Sequence, residues 1–160
     1  MATKFTKVYD RFFDKITDDM YVELTVQDTE KDCQSLLISA INAFEFPKKS
    51  LAYTIDTVDK DMSEESSFNE DLSNNEIEIL AGLMVSAWLQ RQIASIDNTR
   101  QKYYGNSFKL TSQASHLNAL LKLKEEIDKQ NHKQQRLYGR RQIDETGKVS
   151  SRWTIFNTYE

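Results

Sequence analysis

The chain has 160 residues, a size for one domain rather than two, with 39% hydrophobic and 29% charged residues. Seventeen aromatics exclude a wholly disordered chain, and four Gly with one Pro leave too few turns for a many-stranded sandwich or a Gly-rich phosphate fold. The net charge of -4 gives no general attraction to nucleic acid or anionic lipid.

No apolar run approaches the ~18 residues of a membrane span, so no membrane association is expected. The N-terminal MATKFTKVYDRFFDKI is charged every few residues and lacks the apolar stretch of a secretory signal. A lone cysteine, Cys33, excludes an intramolecular disulfide and fits a reducing compartment or an assembly built inside a cell. The expected fold class is mainly α: a small bundle of about four helices, a long acidic loop with a short strand, and an extended C-terminal arm with a β-hairpin.

Residues 4–16 set Phe5, Val8, Tyr9, Phe12, Phe13 and Ile16 at helical spacing, opposite Lys4, Lys7, Asp10, Arg11 and Asp14. A second helix starts between Thr25 and Thr29, with Thr25, Asp28 or Thr29 as cap. It buries Cys33, Leu36, Leu37, Ala40, Ile41 and Phe44, and Pro47 blocks its continuation. Leu51, Tyr53 and Ile55 then alternate with Ala52, Thr54 and Asp56 as a short strand does. From Thr54 to Glu78 there are nine acids and one base, a loop longer than a compact domain tolerates without a use for it.

The third helix has the clearest start. Ser73 and Glu76 form an S-x-x-E capping box, and Leu72 with Ile77 can make the hydrophobic staple. Nearly uncharged from Ile79 to Gln90, this helix should be the most buried element; it runs at least to Ile96, with Gly105 as a natural stop. Helix four opens at Thr111 or Ser112 and runs to about Tyr138, before Gly139. Its stripe is Ala114, Leu117, Leu120, Leu121 and Ile127. Beyond Asp128 the apolar pattern fades, so the last two turns are expected to project past the core. From Thr99 to Arg141 there are ten bases and three acids. The division is therefore a helical domain, 1–139, containing the acidic loop 48–73, and an arm, 140–160, with a hairpin around Glu145-Thr146-Gly147-Lys148.

Chemistry is sparse. His116 and His132 each stand alone, with no H-E-x-x-H or C-x-x-C, and the glycines are scattered. A Cys33–His116 pair can be drawn, but Cys33 lies on the apolar face of its helix, where cysteine is a small hydrophobe. Asp59, Asp61 and Glu65 have loosely calcium-like spacing, without the bending Gly or terminal Glu. No enzyme and no cofactor are expected. Two features remain. One is the basic helix end, Lys129, Lys133, Arg136, Arg140 and Arg141 with nearby Tyr138, which is either a solvated helix end or a surface for phosphates or an acidic protein. The other is the tail's Trp153, Phe156 and Tyr159, which either fold back or anchor in a partner.

Several segments together resemble a known group of proteins. They are Ile16-Thr17-Asp18-Asp19-Met20-Tyr21, Leu36-Leu37-Ile38-Ser39-Ala40-Ile41 leading to Phe44-Glu45-Phe46-Pro47, and Trp88-Leu89-Gln90-Arg91-Gln92-Ile93-Ala94-Ser95. Asn98-Thr99-Arg100-Gln101-Lys102-Tyr103-Tyr104-Gly105 and Phe108-Lys109-Leu110-Thr111-Ser112-Gln113-Ala114-Ser115-His116 complete the set, which spans most of residues 9–141. The combination resembles small neck proteins of tailed bacteriophages, and the helical plan looks like that of head–tail connector (adaptor) proteins.

That resemblance implies a structural virion protein of the neck, made in the host cytoplasm, without activity or cofactor. Its subunits would form a homo-oligomeric ring, a dodecamer by the resemblance, under the portal protein and against other neck or tail proteins. C-terminal segments would enter the portal, and DNA would pass through without sequence-specific binding. The 48–73 insertion departs from a minimal connector, so its role is not assigned by the likeness. Asp59, Asp61, Glu64, Glu65, Glu70 and Asp71 either face basic residues of the next subunit or line the channel, where acids keep DNA phosphates from sticking. The alternative is a helical nucleic-acid-binding packaging protein, similar to a small terminase subunit, using the basic helix end.

Overall fold

The computed structural model describes residues 2–16, 20–55, 66–102, 107–143 and 149–151, with residues 20, 22, 97–102, 107–113, 142–143 and 149–151 described by backbone alone. The chain is mainly helical, as its composition implies. Helix α1 is Thr6–Phe13, followed by the single turn α2, Met20–Glu23, and by α3, Val26–Ala43. Strands β1 (Tyr53–Thr54) and β2 (Ser67–Phe68) precede the two long helices α4 (Asn74–Lys102) and α5 (Ser107–Arg140). Strands β3 (Arg141–Ile143) and β4 (Val149–Ser151) close the described chain.

Two helix starts follow the sequence rules closely. Thr25 caps α3 by accepting from the Asp28 amide at 3.2 Å. At α4 the capping box is reciprocal: the Glu76 carboxylate takes the Ser73 amide and hydroxyl, each at 2.7 Å, while the Ser73 hydroxyl takes the Glu76 amide at 3.4 Å. The staple residues Leu72 and Ile77 are both buried. Phe44 ends α3 in extended conformation, three residues before Pro47.

The core is one cluster in which α4 is central. Ile77, Ile79, Leu80, Ala81, Leu83, Met84, Val85 and Leu89 meet Phe5, Val8, Tyr9 and Phe12 of the N-terminus and Cys33, Leu36, Leu37 and Ala40 of α3. A helix covered from several sides needs apolar residues almost all round. That is why Asn74–Ile96, with mean hydropathy 1.2, is long and apolar enough by length and composition to cross a membrane, contrary to the expectation that no run of this kind exists. Its buried side chains belong to the core.

The segment from 48 to 73 is only partly a loop. Tyr53 pairs with Phe68 and Thr54 with Ser67, antiparallel. The N-terminus then clamps the returning chain: Phe68 donates its amide to the Thr3 carbonyl at 2.8 Å, Phe5 to that of Ser66 at 3.0 Å, and Leu72 to the Thr3 hydroxyl at 2.8 Å. Phe68 is fully buried against Phe5, ring centroids 4.8 Å apart. The hairpin expected around 145–148 is present as β3 and β4, with Arg141 opposite Ser151 and Ile143 opposite Val149.

Helix α5 corrects the sequence reading in three ways. It starts at Ser107, before the expected Thr111 or Ser112, and it continues through Gly139 to Arg140. Above all, its last turns do not project. Asn131, Gln135 and Tyr138 are buried, whereas Leu121, placed in the apolar stripe, is 45% exposed.

The reason is a polar seam. The Ser86 hydroxyl donates to Asp128 at 2.5 Å, the Asn131 amide to the Gly82 carbonyl at 2.9 Å, and the Tyr138 hydroxyl to Glu76 at 2.5 Å. Gln135 accepts the Glu45 backbone amide at 2.8 Å, tying in the chain after α3. Asp128, Asn131, Gln135 and Tyr138 recur every three or four residues, as helical neighbours do, but they bury by hydrogen bonding rather than by hydrophobicity.

Candidate functional site

Two surfaces are built by this fold. The first lies where α5 ends. At 100° per residue, Lys129, Lys133, Arg136 and Arg140 fall within about 60° of arc, on the side away from the polar seam. All four are exposed. Lys129 bonds Glu125 at 2.8 Å across one helical turn, which holds its proton more firmly than usual through that hydrogen bond and the carboxylate charge.

Beside the stripe, the chain after α3 adds Phe46, 56% exposed, whose Cβ lies against Gly139, and Leu137 adds a second apolar residue, 44% exposed. Lys48 reaches the Arg141 carbonyl and stands 4.8 Å over the Tyr138 ring. Asn75, Glu78, Ile79, Gln134, Leu137, Tyr138 and Arg141 line a shallow hollow of about 180 Å³ here. The result is a stripe of bases flanked by an exposed apolar side chain on either side.

Of the docking residues read from sequence, Arg136, Arg140 and Arg141 lie together on this surface, all exposed. Tyr138 does not belong with them. It is 8% exposed, its ring meets Phe44 at 5.8 Å, and its hydroxyl is committed to Glu76. Burial and that carboxylate push its ionisation far above the ordinary tyrosine range. Its role in this structure is internal, because the face it occupies is the seam. Trp153, Phe156 and Tyr159 lie outside the described residues.

The acidic candidates divide similarly. Glu70 and Asp71 are exposed at the end of the loop, and Asp71 accepts the Thr3 hydroxyl at 3.1 Å while its carbonyl takes Lys49. Asp59, Asp61, Glu64 and Glu65 lie outside the described residues. Among the described residues no group of three or more His, Cys, Asp or Glu is placed to hold a metal ion. The Cys33–His116 pair gains no support: Cys33 is fully buried and His116 exposed. Burial, with Asp32 and Glu30 nearby, pushes the thiol up to about 12, the reverse of what a nucleophile needs.

The second surface was not anticipated. Tyr9, Asp10 and Phe13 of α1 face Glu30 and Cys33 of α3, with Tyr21, Leu24 and Val26 at the connection, around an open groove of about 480 Å³. Its walls are rings and aliphatic chains, and its two charged lining residues, Asp10 and Glu30, are both acidic. Tyr21 is fixed by a 2.7 Å bond to Asp32, which also takes Arg91 at 2.5 Å. Val26, on the first turn of α3, is 75% exposed at the groove's edge. The sequence signal was the excess of aromatics on a helix as short as α1, more than a single packing face uses.

No family model, curated protein or solved structure matches this chain.

Proposed function

We propose that the chain is a structural subunit of a bacteriophage neck, forming a homo-oligomeric ring that joins the portal to tail or head-closure proteins and lets DNA pass. The observation that carries this reading is the segregation of charge along the chain. A stripe of outward bases beside Phe46 and Leu137 marks the end of α5, while the acids concentrate between Thr54 and Glu78. A ring of identical subunits repeats one heterologous contact and needs two unlike patches on each copy. The resemblance of the quoted segments to phage neck proteins, and of the helical plan to connector proteins, suggests the identity of the partners.

Native mass measurement of the purified protein, alone and with its portal, tests the proposal. A closed ring, twelve-membered by the likeness, is expected in the presence of the portal. A chain that stays monomeric and does not associate with the portal would end it.

The basic stripe also favours a second reading, a packaging protein that grips duplex phosphates. That reading requires a gel shift weakening steeply with salt, log affinity falling by about 0.9 per log unit of salt for each phosphate neutralised.

A further inference from the structure

We propose that the groove between α1 and α3 is the seat for residues 152–156 of a second copy of this chain. The inference rests on the ring reading above only in that copies of the chain meet.

The fit is chemical. The groove offers Tyr9, Phe13, Tyr21, Leu24 and Val26 as apolar wall and carries only acids among its charged lining residues. Its complement is a short apolar segment with a base at one end. Residues 152–156 read Arg152-Trp153-Thr154-Ile155-Phe156, a base followed by three large apolar residues within four positions. The groove's volume, about 480 Å³, lies within the roughly 300–1,000 Å³ of clefts that enclose drug-sized ligands. Trp anchored in a desolvated pocket is the residue that most often dominates such contacts. Asp10 and Glu30 stand where Arg152 would be drawn.

The ring reading sets which copy supplies the segment, since one repeated contact brings an adjacent subunit's arm beside each groove. Repeated around a ring, each arm engages the next subunit. The arm that the likeness sends to the portal is thereby first a link between sisters.

The test is a disulfide trap in the full-length chain, with Val26→Cys at the groove's exposed edge and Thr154→Cys in the arm. Oxidation is expected to give a ladder of covalent oligomers on a non-reducing gel. Adding Trp153→Ala and Phe156→Ala should lower the cross-linked yield at least about tenfold, the loss typical of removing anchor residues. Closed monomers in place of the ladder would assign the groove to the chain's own arm and overturn the proposal. Yield no higher than in the Val26→Cys single variant would overturn it as well. Portal binding is scored separately on the same preparation by co-sedimentation. Portal binding without a ladder defeats the arm exchange and spares the neck reading, and a ladder without portal binding does the opposite.

Discussion

The hydroxyl of Tyr138, in the last turn of α5, donates a 2.5 Å hydrogen bond to the carboxylate of Glu76, in the first turn of α4. The same carboxylate closes the capping box with Ser73, so one buried acid both starts a helix and holds the end of another. Replacing Tyr138 with Phe removes the donor and leaves the carboxylate under-satisfied. The expected loss is about 1–3 kcal/mol, seen as a fall in thermal midpoint of roughly 2–4 °C for each kcal/mol. Thermal melts of the Y138F chain check it; an unchanged midpoint would mean that the contact stabilises nothing.

Acid should undo the seam. Burial alone would raise the Glu76 pKa, but hydrogen bonds from Tyr138 and Ser73 and the Lys49 charge outweigh it and hold the pKa below the ordinary value. Asp128 is lowered too, where Lys124 and Ser86 overcome desolvation. A carboxylate whose pKa is depressed by folding contributes stability above its unfolded pKa and loses it as pH falls through the folded one. Stability should therefore decline below about pH 4. The decline should be shallower in Glu76→Gln, read from urea melts across pH 2–7.

Gly82 of α4 lies directly against Asn131 of α5. A Cβ there would come within 2.5 Å of Asn131 Oδ1, the side chain whose amide bonds the Gly82 carbonyl. Gly82→Ala should gain up to about 1 kcal/mol in helix propensity and still come out destabilised, because buried Asn131 must turn away from its partner. Pairing it with Asn131→Ala should restore part of the loss. A double-mutant cycle measures this, and simple additivity would contradict it.

Cys33 should behave as a sealed thiol. With no exposed surface and a pKa pushed up to about 12 by burial, it should resist a disulfide reagent at pH 8 in the folded chain and react at once in denaturant. Prompt labelling of the native protein would show that the floor of the groove opens.

The outward stripe should separate assembly from stability. Lys133→Glu with Arg136→Glu changes exposed residues and should move the melting free energy by less than about 0.5 kcal/mol each. Ring formation on the portal should nevertheless fail, as read by native mass.

Much of the fold was legible because it obeys local rules. Ser73 and Glu76 are a capping box in the sequence and in space, the buried face of α3 follows helical spacing, and the uncharged run of α4 marks it as the central helix. Helix α5 was misread past Asp128 because periodicity counts apolar residues, and this seam uses Asp128, Asn131, Gln135 and Tyr138. Each is turned inward by a partner forty or more residues away, which no local window contains. Phe68 was read as loop for the same cause: Thr3 at the N-terminus gives its amide a partner. Of the site, the exposed bases were legible as charge. Phe46 and the α1–α3 groove were not, since exposure of an apolar side chain is decided by what fails to cover it.

The bonds between α4 and α5 are directional, and their spacing works like the teeth of a ratchet. Sliding α5 by one turn would misalign Ser86, Gly82 and Glu76 from their partners simultaneously, whereas an all-leucine seam would tolerate such a shift with modest loss. The hairpin of long helices thus has one indexed position, which fixes the azimuth of the outward bases on every copy.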